Sequence, residues 1–462
     1  MISRSAIGRN AQLALKRQCC VQPATRRGLA AAVSGGSTQF SYETAEAGGI
    51  KIASRDIAGP TTKLALVAKA GTRYESAPGL TIGLEHFAFK NTHKRSGLRI
   101  TRESELLGSQ LVAYHTREAL VLEANFLRND LPYFAELLAE VAFETRYTAH
   151  EYAEEVHDTI HMQQKRLLGN VSELALNSAH GVAFHRGLGA PLQPTSSTPL
   201  DKYLNEDTIQ DFSKNAYSKS NFALVANGAN HAEVSKWAAE FFSGASSTGS
   251  ALSSEESKYF GGEERISHDS GNSLVIAFPG SSSFTSGSSY KPEMAVLAAL
   301  LGGQSTIKWS SGFSLLAKAT SAFSGVSANA THFSYSDAGL LTIQFNGSAE
   351  AIRGASTAAV AALKSIAEGS ISKEDFTKAV ALAKYRTLEE GQNTEAGLVA
   401  TGSGIVHTGK AFQIDEVGKA VEGVSADKLK TAAKALLEGK ATVSAVGDLF
   451  VLPWAEELGL KI

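Results

Sequence analysis

The sequence predicts an α+β chain built from two homologous domains, and three observations lead there. Short apolar strand-like runs are interspersed with longer amphipathic helical segments. The pattern of the first half returns about 220 residues later. Between the two copies lies Ser243-Gly244-Ala245-Ser246-Ser247-Thr248-Gly249-Ser250, small, polar and without periodicity, which reads as a flexible linker. The boundaries follow: an N-terminal segment 1–33, a first domain 34–242, a linker 243–262 and a second domain 263–462. Each domain is expected to pack its helices on one face of a sheet.

The N-terminal segment stands apart. Arg4, Arg9, Lys16, Arg17, Arg26 and Arg27 are basic, and the first acidic residue is Glu43. On a helix, Ile7, Ala11, Ala14 and Leu15 share one face, with Arg9 and Lys16 opposite. A basic, amphipathic, acid-free stretch fits a mitochondrial transit peptide, with Arg26–Ala30 as the cleavage region. Without its six basic residues, 38 basic face 46 acidic residues, a net of −8. Cys19 and Cys20 lie in the same segment, so cleavage leaves a chain without disulfides, thiolate chemistry or cysteine-ligated clusters.

In the first domain a strand at Leu64–Lys69 leads into a helix carrying Glu85 and His86. A strand at Glu118–Glu123 enters a helix at Asp130–Ala142, and Thr148 opens a helix that passes Val156. Asn205-Glu206-Asp207 opens a further helix, which leads to the strand Asn221–Val225 and Gly228. The second domain repeats this order. Its strand is Ala338–Ile343, its helix Ala349–Ala367, and Ser372 opens a helix that passes Val380. Ser425-Ala426-Asp427 then leads to the strand Thr442–Val446 and Gly447. Thr148 and Ser372 each precede an acid three residues on, the capping-box arrangement.

Composition narrows the function. The 43% hydrophobic fraction is globular, and the net charge of −2 offers no nucleic-acid surface. No apolar run reaches the roughly 18 residues that a transmembrane helix needs.

The chemistry centres on Ile82-Gly83-Leu84-Glu85-His86. It is an H-x-x-E-H zinc-protease signature whose first histidine has become Ile82, a residue with no lone pair for a metal. A second pattern, His157-Asp158-Thr159-Ile160-His161, spaces two histidines at i, i+4. Asp158 is short for the usual glutamate base, and no third ligand is evident, so the pair reads as surface polar residues. Gly302-Gly303-Gln304-Ser305-Thr306 lacks a phosphate-loop lysine and reads as a helix-ending loop. No G-x-S-x-G elbow is present.

Several motifs occur in one order: Ala70-Gly71-Thr72-Arg73-Tyr74-Glu75, Gly83–Thr92, Glu105-Leu106-Leu107-Gly108 and Ala113-Tyr114-His115-Thr116-Arg117-Glu118. In this the chain resembles the pitrilysin-type family, which includes the mitochondrial processing peptidase and the core proteins of ubiquinol–cytochrome c reductase. The resemblance covers nearly all of the chain beyond the N-terminal segment and implies two pitrilysin-like α/β sandwich domains. Active members carry two histidines and a distal glutamate on zinc; here Ile82 and, by count, Gln163 depart from that set. Ile82, Glu85, His86 and Gln163 are therefore read as a remnant, with no catalytic residue, no cofactor and no metal.

The resemblance further implies a non-catalytic core subunit of the reductase, peripheral on the matrix side of the inner membrane. It would pair with a second core protein and support cytochrome b, cytochrome c1 and the iron–sulfur protein. The alternative is the non-catalytic alpha-type subunit of the processing peptidase. That subunit carries a glycine-rich loop, whereas Gly302–Gly312 here holds only three glycines.

Overall fold

The computed structural model describes residues 41–195, 198–246, 249–286, 289–303, 312 and 314–462. The N-terminal segment expected to be a transit peptide, both cysteines and most of the Gly302–Gly312 stretch lie outside the described residues. Eleven described strands form two sheets. In the first half these are β1 (Glu43–Ala47), β2 (Ile50–Arg55), β3 (Thr61–Ala68), β4 (Gln110–His115), β5 (Leu120–Leu127) and β6 (Phe222–Asn227), laid out as β1-β2-β6-β3-β5-β4. In the second they are β7 (Gly262–Ser267), β8 (Asn272–Pro279), β9 (Val326–Ser334), β10 (Gly339–Gly347) and β11 (Thr442–Gly447), laid out as β7-β11-β8-β10-β9.

The repeat read from sequence is thus a repeat of topology. In each sheet the last strand pairs in parallel with the first shared strand, β6 with β2 and β11 with β7, and every other pairing is antiparallel. Only β1 has no counterpart in the second sheet.

Side chains alternate across each sheet. Leu64, Leu66 and Ala68 of β3 join a core with the helices Leu80–Phe87, Leu131–Phe143, Glu206–Ala216 and His231–Phe241 of their own half. Ala65 and Val67, with Ala53, Val121, Ala223 and Val225, face the other way. They pack on Leu398, Ile405 and Val406 of the helix Thr394–Thr408, which belongs to the second half. The second sheet mirrors this. Leu274, Ile276 and Phe278 of β8 face their own helices, while Val275 and Ala277 meet Ala175, Ala179, Ala183 and Phe184 of the helix Val171–Phe184 from the first half.

Helices therefore cover both faces of each sheet, not one face as expected, and the second cover is exchanged between halves. Small residues let it sit close. A Cβ on Gly402 would lie 2.5 Å from the Val67 side chain, and Ala175, Ala179 and Ala183 recur at one helical turn. Polar contacts seat the exchanged helices. Lys51 Nζ donates to the Ile405 carbonyl at 3.1 Å, near that helix's C-terminus. The Gln344 amide donates to the Ser172 carbonyl at 2.7 Å at the first turn of the other. The residues Phe40–Ile462 consequently form one compact unit.

The linker composition suggested flexibility, yet its described part is pinned. Lys219 N–H donates to the Ser246 carbonyl at 3.1 Å, Leu252 N–H to Asn221 Oδ1 at 3.1 Å and Phe260 N–H to the Ala183 carbonyl at 2.9 Å. Of the two predicted capping boxes, the one at Ser372 forms by half: its hydroxyl accepts from Asp375 N–H at 3.0 Å, a cap without the reciprocal bond. Thr148 makes no cap; its hydroxyl donates to the Glu151 carboxylate at 2.6 Å, and a π-helical turn follows at Tyr152–Val156. A reciprocal box forms instead at Asn205 and Thr208.

The exchange makes a direct prediction. Leu398→Ala removes a fully buried side chain from the cover of the opposite sheet. It should cost about 2–5 kcal/mol. Hydrogen exchange followed by mass spectrometry should show faster exchange in β3 and β6, strands of the other half; unchanged exchange there would remove the helix from this role.

Candidate functional site

The remnant motif sits on the helix Leu80–Phe87. Its first turn has no side chain of its own to cap it, because the preceding residue is Gly79 at φ +91°. Glu75 supplies the cap from upstream, accepting from Thr81 N–H at 2.7 Å and Gly79 N–H at 3.3 Å. The Thr81 hydroxyl donates back to the Ala70 carbonyl at 2.8 Å. A carboxylate at a helix N-terminus meets both unpaired N–H groups and the positive end of the dipole.

Ile82 is buried, 1% exposed, in the core and at the edge of a cavity of ≈250 Å³ lined also by Arg73, Glu75, Gly79 and Leu192. The helix packs on the helix His157–Leu168, which bears Gln163. His86 Nε2 and Gln163 Oε1 are both buried without a hydrogen-bond partner.

Glu85 is not free. Its carboxylate pairs with His115 Nδ1, while His115 Nε2 lies 2.7 Å from the Leu192 carbonyl. A carboxylate and a carbonyl only accept, so both ring nitrogens carry protons and His115 is an imidazolium. Burial works against that charge, but the Glu85 bond and its field outweigh it and raise the His115 pKa.

A zinc ion here would need three protein donors and an open position for water. Ile82 has no donor, Gln163 offers only a neutral amide, and Glu85 is tied to a cation. The residues do not fit the metal.

The other motif residues tie the first half to itself and, through Arg73, Tyr74 and Glu118, to the second half. Gly71 lies so close to the Arg117–Glu118 backbone that a Cβ would come within 2.4 Å of it. Arg73 donates to Glu118 at 2.8 Å and, through both terminal nitrogens, to Asp337 of the second half at 2.7 and 2.6 Å. Ser336 closes the cluster, its N–H and hydroxyl donating to Glu118 at 2.9 and 2.6 Å. Burial opposes the charge on Asp337, but Arg73 more than offsets it and holds the carboxyl below its ordinary range. Tyr74 Oη lies 2.8 Å from His407 Nε2 on the exchanged helix. Arg117, buried, donates to Asn177 at 2.8 Å and to the carbonyls of Leu188 and Ala190. A cavity of ≈440 Å³ between the halves is lined by Arg117, Glu118, Tyr335, Glu390 and His407.

Sequence reasoning placed Ile82, Glu85 and His86 correctly on one helix. It missed Glu75 as the cap and His115 as the partner of Glu85. Both lie in motifs already singled out, but spacing alone did not show what they touch.

Comparison with known proteins gives these motifs a context. Residues 51–191 match the family model for insulinase, peptidase family M16, and residues 203–382 that for the peptidase M16 inactive domain. The chain is 56% identical to mitochondrial cytochrome b-c1 complex subunit 2 of Neurospora crassa, over 100% of both chains. It is 34% identical to the Schizosaccharomyces pombe protein of that name, over 91% of this chain and 95% of the relative. The Homo sapiens protein is 28% identical, over 89% and 90%.

Glu75 carries a pH prediction. Its burial, only partly offset by the Thr81 N–H, pushes its carboxyl up to about 7 from 4.5. Between those values the folded chain keeps a proton that the unfolded chain releases. Its contribution to stability is therefore present below pH 4.5 and is lost as the pH rises to about 7. The size is on the order of 3 kcal/mol. Glu75→Gln mimics the protonated acid, and thermal unfolding of this variant should lose that part of the decline across the same window.

Proposed function

This chain belongs to the M16 peptidase family, and we propose that it holds a structural rather than a hydrolytic place there. It is core subunit 2 of the mitochondrial cytochrome bc1 complex. The single observation that carries the non-catalytic reading is the state of the motif helix. A hydrophobe stands at the first ligand position, and an imidazolium occupies the glutamate that would act as base. General-base chemistry needs a carboxylate within reach of a polarised water. Here the carboxylate is already engaged and nothing at Ile82 can help hold the ion.

The proposed role is to brace the complex. Paired with core protein 1, this subunit supports cytochrome b, cytochrome c1 and the iron–sulfur protein from the matrix side. Among the described residues no helix is long and apolar enough to cross a membrane, which supports attachment through partners. The M16 motifs support the same reading, because Gly71, Arg73, Tyr74 and Glu75 bind backbone, opposite half and helix cap in turn.

A mild-detergent pull-down of the tagged chain from mitochondria tests this. The eluate should show b- and c-type haem bands at near-stoichiometric level and no chelator-sensitive peptidase activity. A haem-free eluate that cleaves presequence peptides would assign the chain to the processing peptidase. In the assembled complex, Glu85→Gln should leave ubiquinol oxidation unchanged while lowering stability by about 1–3 kcal/mol, because His115 loses its counter-charge.

A further inference from the structure

The helix His157–Leu168 carries His157 and His161 one turn apart. The sequence offered them no third ligand. The fold does, 40 residues after His161, in the short helix Leu200–Tyr203. Nε2 of His157 and Nε2 of His161 are 3.0 Å apart, and Asp201 Oδ1 lies 3.0 Å from the first and 3.8 Å from the second. These three residues are the one such group of potential metal ligands among the described residues.

Hydrogen bonding serves this triangle poorly. An imidazole Nε2 holds either a proton or a lone pair, and the aspartate oxygen only accepts. The tautomer of His161 follows from its neighbours. Gln164 Nε2 donates to the Thr195 carbonyl at 3.0 Å, which turns its Oε1 towards His161 Nδ1, also at 3.0 Å. His161 Nδ1 therefore carries the proton, and in the neutral ring its Nε2 presents a lone pair to the other two atoms. On the far side of His157, Nδ1 lies 3.7 Å from Asp158 Oδ1. That is too far for a hydrogen bond, so His161 alone has the outer acceptor that orients a metal-binding histidine, Gln164 Oε1.

We infer that His157, His161 and Asp201 form a site for a zinc-like divalent transition ion. With metal–ligand bonds of about 2.0–2.2 Å, the corners of a tetrahedron lie roughly 3.3–3.5 Å apart. The observed 3.0, 3.0 and 3.8 Å bracket that edge. Two imidazoles and one carboxylate suit zinc and its neighbours; calcium and magnesium prefer oxygen alone. The half-exposed histidines and the exposed aspartate leave the fourth position to solvent.

The site is separate from the remnant. Gln163 follows His161 by two residues, some 200° around the helix. Its role is structural. An ion would clip the helix His157–Leu168 to Leu200–Tyr203 and so restrain the intervening connection, which includes the Leu192 carbonyl that holds His115. Asp158 sits on the Nδ1 side of His157, away from the proposed ion, and is not placed as a base.

Titration of the full chain with cobalt(II) tests the site. One equivalent should give visible d–d bands of tetrahedral type and be displaced by zinc. His161→Ala and Asp201→Asn should each weaken cobalt binding tenfold or more. Circular dichroism in the absence of metal should show both variants folded. His157→Ala, read in the same way, is a third probe. No bands in the parent chain, or an affinity that neither variant changes, would overturn the proposal. Binding that survives His161→Ala but is lost in His86→Ala would place the ion at the remnant instead and overturn it equally.

Discussion

Everything in this fold depends on the exchange of one helix between the halves. A mixed sheet with apolar side chains on both faces has one face more than its own helices cover. In each half the spare face is closed by a helix of the other: Thr394–Thr408 over the first sheet, Val171–Phe184 over the second. An ion cluster reinforces the first seat at its rim, with Lys63 bonded at 2.8 Å to Glu123 of its own sheet and to Glu395 of the visiting helix. Glu123 lies among apolar residues of β5, so a partner from the same face is what makes its burial tolerable.

That dependence explains which parts of the motif series persist in this chain and which do not. Gly71, Arg73, Tyr74, Glu75 and Glu118 are bound into the contact between halves or into the cap of the Leu80–Phe87 helix. Replacing any of them would leave a buried charge, an orphaned N–H or a steric clash. The position of Ile82 carries no such burden. A hydrophobe there packs into the core it borders, and the fold is indifferent to the loss of a lone pair.

Much of this was legible in the sequence. The duplication, the order of the elements and the broken zinc motif all came from local pattern, because strands and helices declare themselves by period and the missing donor by identity. The uninterrupted apolar runs Leu64–Ala68 and Leu274–Phe278 carry a signal of burial on both faces that the expectation of one covered face overlooked. What they do not say is which helix does the covering, since that choice is made by packing across more than a hundred residues. The same limit hid the partners of polar groups. His115 is 30 residues from Glu85, and Asp201 is 44 from His157. At Thr148 the expected cap failed because a nearby carboxylate, Glu151, captured the hydroxyl.

The exchanged helix also sets an order in time. The first sheet is chemically complete once Asn227 has been made or imported, but its open face waits for Leu398, Ile405 and Val406, more than 170 residues later. Until then β2, β3, β5 and β6 present an apolar surface with nothing to close it, the kind of intermediate that aggregates unless it is shielded. The reverse debt does not exist: Val171–Phe184 is already present when the second sheet forms. A chain with two symmetric covers therefore has an asymmetric history, in which the N-terminal half is the vulnerable one, its strands made long before the helix that covers them.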